Sequence, residues 1–115
     1  MRKAKYKGRC EKRKVGKCAD VCKLYDPVQS AYADVLAADD SVQEIRCNVL
    51  LEGMEEGEYT SDFVCVRSEG ELMVRECVPR KHLSKPMTVK LLDASREYWR
   101  KRSVMDWKVV TDGEE

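Results

Sequence analysis

Residues 59–78 have the sequence YTSDFVCVRSEGELMVRECV, which predicts a β-hairpin at the centre of the fold. Two runs rich in β-branched and aromatic residues, Tyr59 to Arg67 and Glu71 to Val78, are typical of strands. The loop between them, residues 68–70, has three residues and ends in glycine, as hairpin loops favour. Pro79 then ends the second strand, because proline has no N–H to donate to a β-ladder.

The loop length also predicts which side chains face each other across the hairpin. With Glu69 at the centre of the loop, Asp62 lies opposite Glu76, on a face that is otherwise apolar. Like charges directly opposite each other are destabilising, so the pair calls for a compensating cation. Mg²⁺ binds carboxylate and phosphate oxygens, and it can polarise a phosphodiester and activate water. The alternative is that Asp62 lies at an open strand end in water and Glu76 pairs with an arginine.

Local patterns predict the other elements. Asp26 can cap a helix that begins at Pro27, a residue suited to the first helical position. The apolar stripes predict which helical residues are buried: Val28, Tyr32, Val35 and Leu36 in the first helix, and Met87, Leu91, Ala94, Tyr98 and Trp99 in the second. The predicted order is a helix over 26–38, a strand over 44–51, the hairpin, a helix over 86–102 and a strand over 107–111.

Length and charge restrict the class of protein. The chain has 115 residues, enough for one domain, and no apolar run of the roughly 20 residues that a membrane span needs. Its net charge is only +1, but residues 1–24 carry ten basic and two acidic residues, and residues 77–102 carry eight and two. Two basic blocks around an acidic centre suit a protein that binds a phosphate backbone. The alternative is a solvated tail and a solvated helix face.

The basic N-terminus is predicted to be a flexible arm, because residues 1–17 are rich in lysine, arginine and glycine. The predicted DNA-binding residues lie in the two basic blocks: Arg9, Lys12, Arg13, Lys14, Lys17, Arg80, Lys81 and Lys85.

Six cysteines are present, and no secretory signal precedes them, so free thiols are expected rather than disulfides. Cys47, Cys65 and Cys77 lie in predicted strands and are expected to be small buried residues. Cys10, Cys18 and Cys22 lie in the basic arm, and a zinc ion bound by these three is an alternative to free thiols.

Three motifs resemble one family. They are Tyr59-Thr60-Ser61-Asp62-Phe63, then Val74-Arg75-Glu76-Cys77-Val78-Pro79, and the ending Asp106-Trp107-Lys108-Val109-Val110-Thr111-Asp112. Together with the run from Leu36 to Val42, they resemble the TnsA-like transposon endonuclease domain of the PD-(D/E)XK nuclease superfamily. The resemblance covers about residues 25–115.

The resemblance implies an α/β (α+β) fold with a restriction-endonuclease-like core, in which helices flank a mixed sheet. It divides the chain into a basic N-terminal arm over 1–24 and a nuclease-fold domain over 25–115. It implies a Mg²⁺- or Mn²⁺-dependent endonuclease subunit that cuts double-stranded DNA at transposon ends beside an integrase-type transposase subunit. The expected location is the bacterial or phage cytoplasm, near the nucleoid and away from membranes. A homodimer is left open.

Residue by residue, Asp62 matches the metal-binding aspartate and Glu76 matches the second carboxylate of the motif. The family's lysine is replaced by Val78, and its helix glutamate by Gln29, so the site is partly degenerate. Residues that could compensate are Arg80, Lys81, Lys85, Lys90 and, one turn before Gln29, Asp26. The catalytic candidates are therefore Asp62, Glu76, Gln29, Arg80 and Lys90. The alternative function is a catalytically inactive nuclease-fold module that binds DNA or a transposase partner.

Overall fold

The structure is a computed structural model that describes residues 1–112. In chain order the elements are β1 (Arg2–Lys3), β2 (Glu11–Arg13), β3 (Cys22–Leu24), α1 (Pro27–Ala38), β4 (Val42–Leu51), β5 (Tyr59–Arg67), β6 (Leu72–Cys77), a 3₁₀ turn (Arg80–His82), α2 (Pro86–Arg100) and β7 (Trp107–Val110). The predicted order α-β-β-β-α-β after residue 24 is confirmed.

The β5–β6 hairpin forms in the predicted register. Phe63 pairs with Arg75 and Val64 with Val74, and Asp62 and Glu76 lie directly beyond the last pair of this ladder, where the Asp62 N–H donates to the Glu76 side chain. Gly70 has a φ of +86°, a conformation that side chains other than glycine rarely adopt, so this residue allows the short loop. The sequence pattern therefore fixes the hairpin locally.

The main sheet is built around β5. Strand β4 pairs antiparallel with one edge of β5, while β6 and the short β1 pair with the other edge. Strand β7 adds to β6 in parallel, which makes the sheet mixed. Alternate β5 residues point to opposite faces: Phe63 packs in the cluster that contains α1, and Val64 packs with Trp99 of α2. A mixed sheet flanked by helices, as predicted, is the observed fold.

The two helices begin where the sequence predicts, but their buried faces differ in detail. The Asp26 side chain accepts a hydrogen bond from the Gln29 N–H at 2.8 Å and caps α1. Val35 and Met87 are exposed, although they lie on the predicted stripes. Ala33 in α1 and Ser95 in α2 are buried instead. The spacing of apolar residues predicts roughly which side of a helix is buried, but it does not fix which residue lies at the centre of that side.

The prediction of a flexible N-terminal arm is wrong for much of its length. Arg2–Lys3 pairs with β5, and β2 and β3 form a separate antiparallel hairpin. Lys17 accepts a backbone hydrogen bond from Ile45, next to a parallel bridge between Cys18 and Ile45 on the outer edge of β4. The prediction rested on side-chain composition alone. Backbone N–H and C=O groups are the same in a basic segment as in any other, so such a segment can also form strands.

An ion-pair network joins the hairpin to the segment before β7. The Asp106 carboxylate contacts Nη1 of Arg67 at 2.7 Å and Nη1 of Arg75 at 2.9 Å. The Arg75 side chain is only 9% exposed, so the Asp106 carboxylate compensates a guanidinium charge that has little contact with water. Partial burial alone would raise the pKa of Asp106, but the hydrogen bonds and charges of Arg75 and Arg67 outweigh it and lower that pKa.

Asp106→Asn is therefore expected to lower the free energy of unfolding by about 1–2 kcal/mol at pH 7, between the values for exposed and buried pairs. Because the pKa is lower in the folded state, this contribution is present above the unfolded pKa of about 3.9 and is lost as pH falls through the folded pKa. Urea unfolding at pH 7 and near pH 3 measures the change. The exposed Asp93→Asn is the control, and an Asp106→Asn effect of equal size at both pH values would contradict the assignment.

Candidate catalytic site

Asp62 and Glu76 lie next to each other at the end of the hairpin, where Glu76 contacts Ser95 of α2 and Asp62 contacts the N-terminus. Their relative exposures are 1% and 0%, so both carboxyl groups are removed from water. The backbone N–H of Asp62 donates to Glu76 Oε1 at 2.9 Å, and the N–H of Cys77 donates to Asp62 Oδ2 at 2.7 Å. The alternative of an open, water-exposed Asp62 and an arginine-paired Glu76 is wrong, because α2 and the N-terminus cover this part of the hairpin.

Two serines hold the Glu76 carboxylate. Ser61 Oγ, on β5, and Ser95 Oγ, on α2, each donate to Glu76 Oε2 at 2.6 Å. Each serine in turn accepts an indole N–H at 3.0 Å, Ser61 from Trp99 and Ser95 from Trp107. The two tryptophans orient the two hydroxyls, so α2 and β7 are joined to the hairpin through one buried glutamate.

Asp62 is paired with a cation from the chain itself. The α-ammonium group of Met1 donates to Asp62 Oδ2 at 3.2 Å, and the exposed fraction is 2% on each side of this pair. Strand β1 places Met1 there, because Arg2 and Lys3 pair with Thr60 and Tyr59 of β5. The compensating positive charge that the two carboxylates require is thus present at Asp62.

The pKa values of Glu76 and of the Met1 amine are both raised, although burial acts on them in opposite directions. Complete burial raises the pKa of Glu76, and the charge of Asp62 adds to this, while the Met1 ammonium and the serine hydrogen bonds oppose it. Burial alone would lower the pKa of the Met1 amine, but the charges of Asp62 and Glu76 and the hydrogen bond to Asp62 raise it. The site therefore favours a charged Met1 ammonium and holds the Glu76 proton more tightly than water would.

The two positions that depart from the family motif are filled by buried, uncharged side chains. Val78 is 6% exposed and offers neither a proton nor a charge. Gln29 is fully buried, but its amide contacts other partners: it accepts from the Tyr25 N–H at 2.9 Å and donates to Asn48 Oδ1 at 3.1 Å. These contacts hold α1 against β4.

The candidate compensating residues lie outside the buried pair. Arg80 is exposed, and its backbone N–H donates to Asp112 Oδ1 at 2.6 Å. Lys90 is exposed on α2, whose buried residues are Leu91, Ser95 and Trp99. Asp26 caps α1 and forms an ion pair with Arg2. Catalytic roles for Gln29, Arg80 and Lys90 stay predictions.

A cavity of about 310 Å³ adjoins the site next to Met1 and the end of β6. Arg2, Lys81 and His82 line it, together with Asp26, which forms an ion pair with Arg2. This lining suits a phosphate group that approaches the pair from the side of Met1.

The predicted DNA-binding residues fall in two places. Arg9, Lys12 and Lys14 are exposed around the β2–β3 hairpin, and Lys81 and Lys85 are exposed near the start of α2. Two others contact α1 or the residue that follows it. Arg13 forms an ion pair with Asp34 at 3.2 Å, and Lys17 Nζ donates to the Asp39 carbonyl at 2.7 Å.

The sequence analysis missed the serines and the N-terminal amine. Ser61 directly precedes Asp62 in β5, and Ser95 lies four residues before Trp99 in α2. Serine is common on exposed strands and helices, so its presence does not predict a buried carboxylate partner. The alternative of a cysteine trio formed by Cys10, Cys18 and Cys22 is also corrected. The structure groups Cys18 and Cys22 with Cys47 rather than with Cys10, because β4 brings Cys47 next to the β2–β3 hairpin.

The donor set around the acidic pair fits a hard divalent cation such as Mg²⁺ or Mn²⁺. Both donors to Asp62 reach Oδ2, which leaves Oδ1 without a hydrogen-bond donor among residues 1–112. Glu76 Oε1 accepts one hydrogen bond and has a second lone pair, whereas Oε2 already accepts two. Asp62 and Glu76 Oε1 are thus the groups that would hold such an ion.

A mixed sheet flanked by two helices, with an acidic pair at the end of its central hairpin, defines a nuclease-type domain with a restriction-endonuclease-like core. The family model described as TnsA-like endonuclease N terminal matches residues 34–112, and the chain belongs to this family. Membership supports a nuclease-type function in DNA transposition. A search of curated proteins found no match. Within residues 1–112, neither helix has the length and apolar character that crossing a bilayer requires.

Proposed function

We propose that the chain is the DNA endonuclease subunit of a heteromeric transposase and cuts phosphodiester bonds at transposon ends. The observation that carries this proposal is the convergence of Asp62 and Glu76, two buried carboxylates joined by a 2.9 Å hydrogen bond from the Asp62 backbone. Its partners are double-stranded DNA and an integrase-type transposase subunit, and its location is the bacterial or phage cytoplasm near the nucleoid.

Each residue has a distinct role in this proposal. A bound Mg²⁺ or Mn²⁺ ion would polarise the phosphodiester and make water a better nucleophile. Asp62 carries the principal negative charge for the ion, and Glu76, held by its two serines, supplies the second carboxylate and fixes the strand geometry. Val78 contributes no positive charge, so the Met1 ammonium, 3.2 Å from Asp62, is the cationic group of this chain that contacts the acidic pair.

DNA reaches the site through the basic cavity next to Met1. Lys81 and His82 line its mouth, and Lys85 lies three residues beyond His82, before α2 begins. A phosphate bound there lies beside the acidic pair without a strong charge repulsion, because the basic groups screen the carboxylates.

Nicking of supercoiled plasmid by the intact chain tests the proposal directly. Nicking is expected with Mg²⁺ or Mn²⁺ and none when EDTA removes the ion. Activity that persists in EDTA would contradict metal-dependent hydrolysis.

A second candidate function is a nuclease-fold module that binds DNA or the transposase but does not cut. The specific observation that favours it is that protein donors already fill Glu76 Oε2 while Val78 replaces the family's lysine. The endonuclease and the DNA-binding form of this module both predict DNA binding, so cleavage is what separates these two. DNA binding without nicking in either metal would select the second candidate.

DNA binding is expected to weaken with salt, because each phosphate contact releases counterions. If Lys81 contacts a phosphate, Lys81→Ala lowers the slope of log affinity against log salt concentration by about 1. Fluorescence anisotropy with a labelled duplex at several salt concentrations measures this slope. Lys101→Ala, at the opposite end of α2, is the matched control and should leave the slope unchanged. Equal slopes for both variants would remove Lys81 from the interface.

A further inference from the structure

Three thiols from two parts of the chain, residues 18–22 and strand β4, meet on the face of the sheet that α1 covers. Cys22 Sγ lies 3.2 Å from Cys18 Sγ, and Cys18 Sγ lies 3.9 Å from Cys47 Sγ. All three sulfur atoms lie within 4.8 Å of one another. Cys18 and Cys47 are half-buried and Cys22 is fully buried, so the group has one side open towards solvent.

The Cys18–Cys47 separation of 3.9 Å matches the geometry of a thiolate metal site, whereas the Cys18–Cys22 separation of 3.2 Å is shorter, so zinc binding would move these two sulfur atoms apart. A Zn–S bond is about 2.3 Å, and two ligands at tetrahedral angles around one zinc ion are therefore about 3.8 Å apart. Thiolates are soft ligands that select zinc and copper(I) over magnesium and calcium. The three cysteines also belong to the apolar core next to α1, so metal affinity, and not burial, distinguishes a zinc site from packed thiols.

We propose that Cys18, Cys22 and Cys47 bind one zinc ion through their sulfur atoms. Solvent takes the fourth position, since no other histidine, cysteine or carboxylate completes this group within residues 1–112. On binding, each thiol gives up its proton to solvent as its Zn–S bond forms, and no oxidant is needed. Three thiolates and Zn²⁺ leave one net negative charge. Arg13, opposite Cys22 in the β2–β3 ladder, offsets part of this charge.

The site fastens the N-terminal residues to the sheet. Cys18 forms the β-bridge with Ile45 of β4, and Cys22 is the first residue of β3. Cys47 lies in β4, where it pairs with Phe63 of β5. An ion bound by all three joins the β2–β3 hairpin to the outer strand of the main sheet. This zinc site is distinct from the acidic pair, because Glu76 contacts α2 through Ser95 and the pair offers oxygen instead of sulfur.

The test measures metal bound to the full chain kept under reducing conditions. Zinc content is expected to be one ion per chain, and titration of the metal-free protein with Co²⁺ is expected to give thiolate-to-cobalt charge-transfer absorption that saturates at one equivalent. Cys47→Ser should lose both signals. Because Cys47 lies in the sheet, Cys18→Ser provides a second, half-buried variant, and circular dichroism checks that each variant is folded.

Cys10→Ser is the matched control, since Cys10 belongs to the same chain segment but not to the three-thiol cluster. It should keep the full zinc content and the cobalt absorption. The proposal would be overturned by wild-type protein that binds no Co²⁺ while reduced, by equal loss in the Cys10 and Cys47 variants, or by a Cys18–Cys22 disulfide that persists in reductant. Loss of nicking in the Asp62 variants has no bearing on this result.

Discussion

Asp62→Asn is expected to abolish metal-dependent nicking, with a rate at least about 10³-fold below that of the unchanged chain. A metal ion contributes several kcal/mol to transition-state stabilisation, and each 1.36 kcal/mol corresponds to about a factor of ten in rate. Asparagine keeps the shape of the side chain and an oxygen that can accept the Cys77 N–H. It removes the negative charge that pairs with the Met1 ammonium and that would hold a divalent ion in the proposed function. Initial rates of plasmid nicking in Mg²⁺ and in Mn²⁺ measure the effect.

Loss of activity must be separated from loss of folding, because the substitution leaves the Met1 ammonium without its buried partner. Circular dichroism and DNA binding by the same Asp62→Asn sample provide that check. Asp93→Asn, the same change at an exposed position of α2, should nick at the wild-type rate. Wild-type nicking by Asp62→Asn would remove Asp62 from the catalytic site and leave the endonuclease proposal without its main support.

Glu76→Ala is expected to lower the free energy of unfolding by about 3–5 kcal/mol, because three buried donors lose their acceptor at once. These donors are the hydroxyls of Ser61 and Ser95 and the backbone N–H of Asp62. For a domain of this size the loss corresponds to a fall in melting temperature of roughly 10–20 °C. Urea and thermal unfolding followed by tryptophan fluorescence measure this loss of stability. The fluorescence reports on the site because Trp99 donates a hydrogen bond to Ser61 and Trp107 donates one to Ser95.

Glu69→Ala, in the exposed hairpin loop, is the matched control and should change stability by less than about 0.5 kcal/mol. Glu76→Gln keeps an oxygen for the Asp62 N–H and removes the buried charge, so it should cost less than Glu76→Ala. A Glu76→Ala variant as stable as the Glu69 control would show that the glutamate does not hold α2 and β7 to the hairpin.

The β5–β6 hairpin shows how far local pattern extends into three dimensions. Loop length and strand periodicity predicted that Asp62 faces Glu76, and the structure has this register. Both signals act within one hairpin, where side-chain alternation and turn geometry leave few alternatives. The start of α1 at Pro27 was predicted for the same reason, from a capping side chain directly before it.

The partners of the acidic pair could not be predicted in this way. Ser95 and Met1 reach Glu76 and Asp62 across 19 and 61 residues of sequence. Neither residue type has a preference for such a position, and only the packing of α2 and the pairing of β1 against β5 bring them there. The same reason explains why Cys47 rather than Cys10 joins Cys18 and Cys22.

The sequence by itself determined the order of the helices and strands, the register of the central hairpin and the place of the two carboxylates on it. Only the tertiary structure decided which residues surround those carboxylates and which thiols lie together beside β4. Local conformation follows from short-range sterics and periodicity. The neighbours of a buried side chain are set by how distant segments pack, a property of the whole chain that short patterns do not encode.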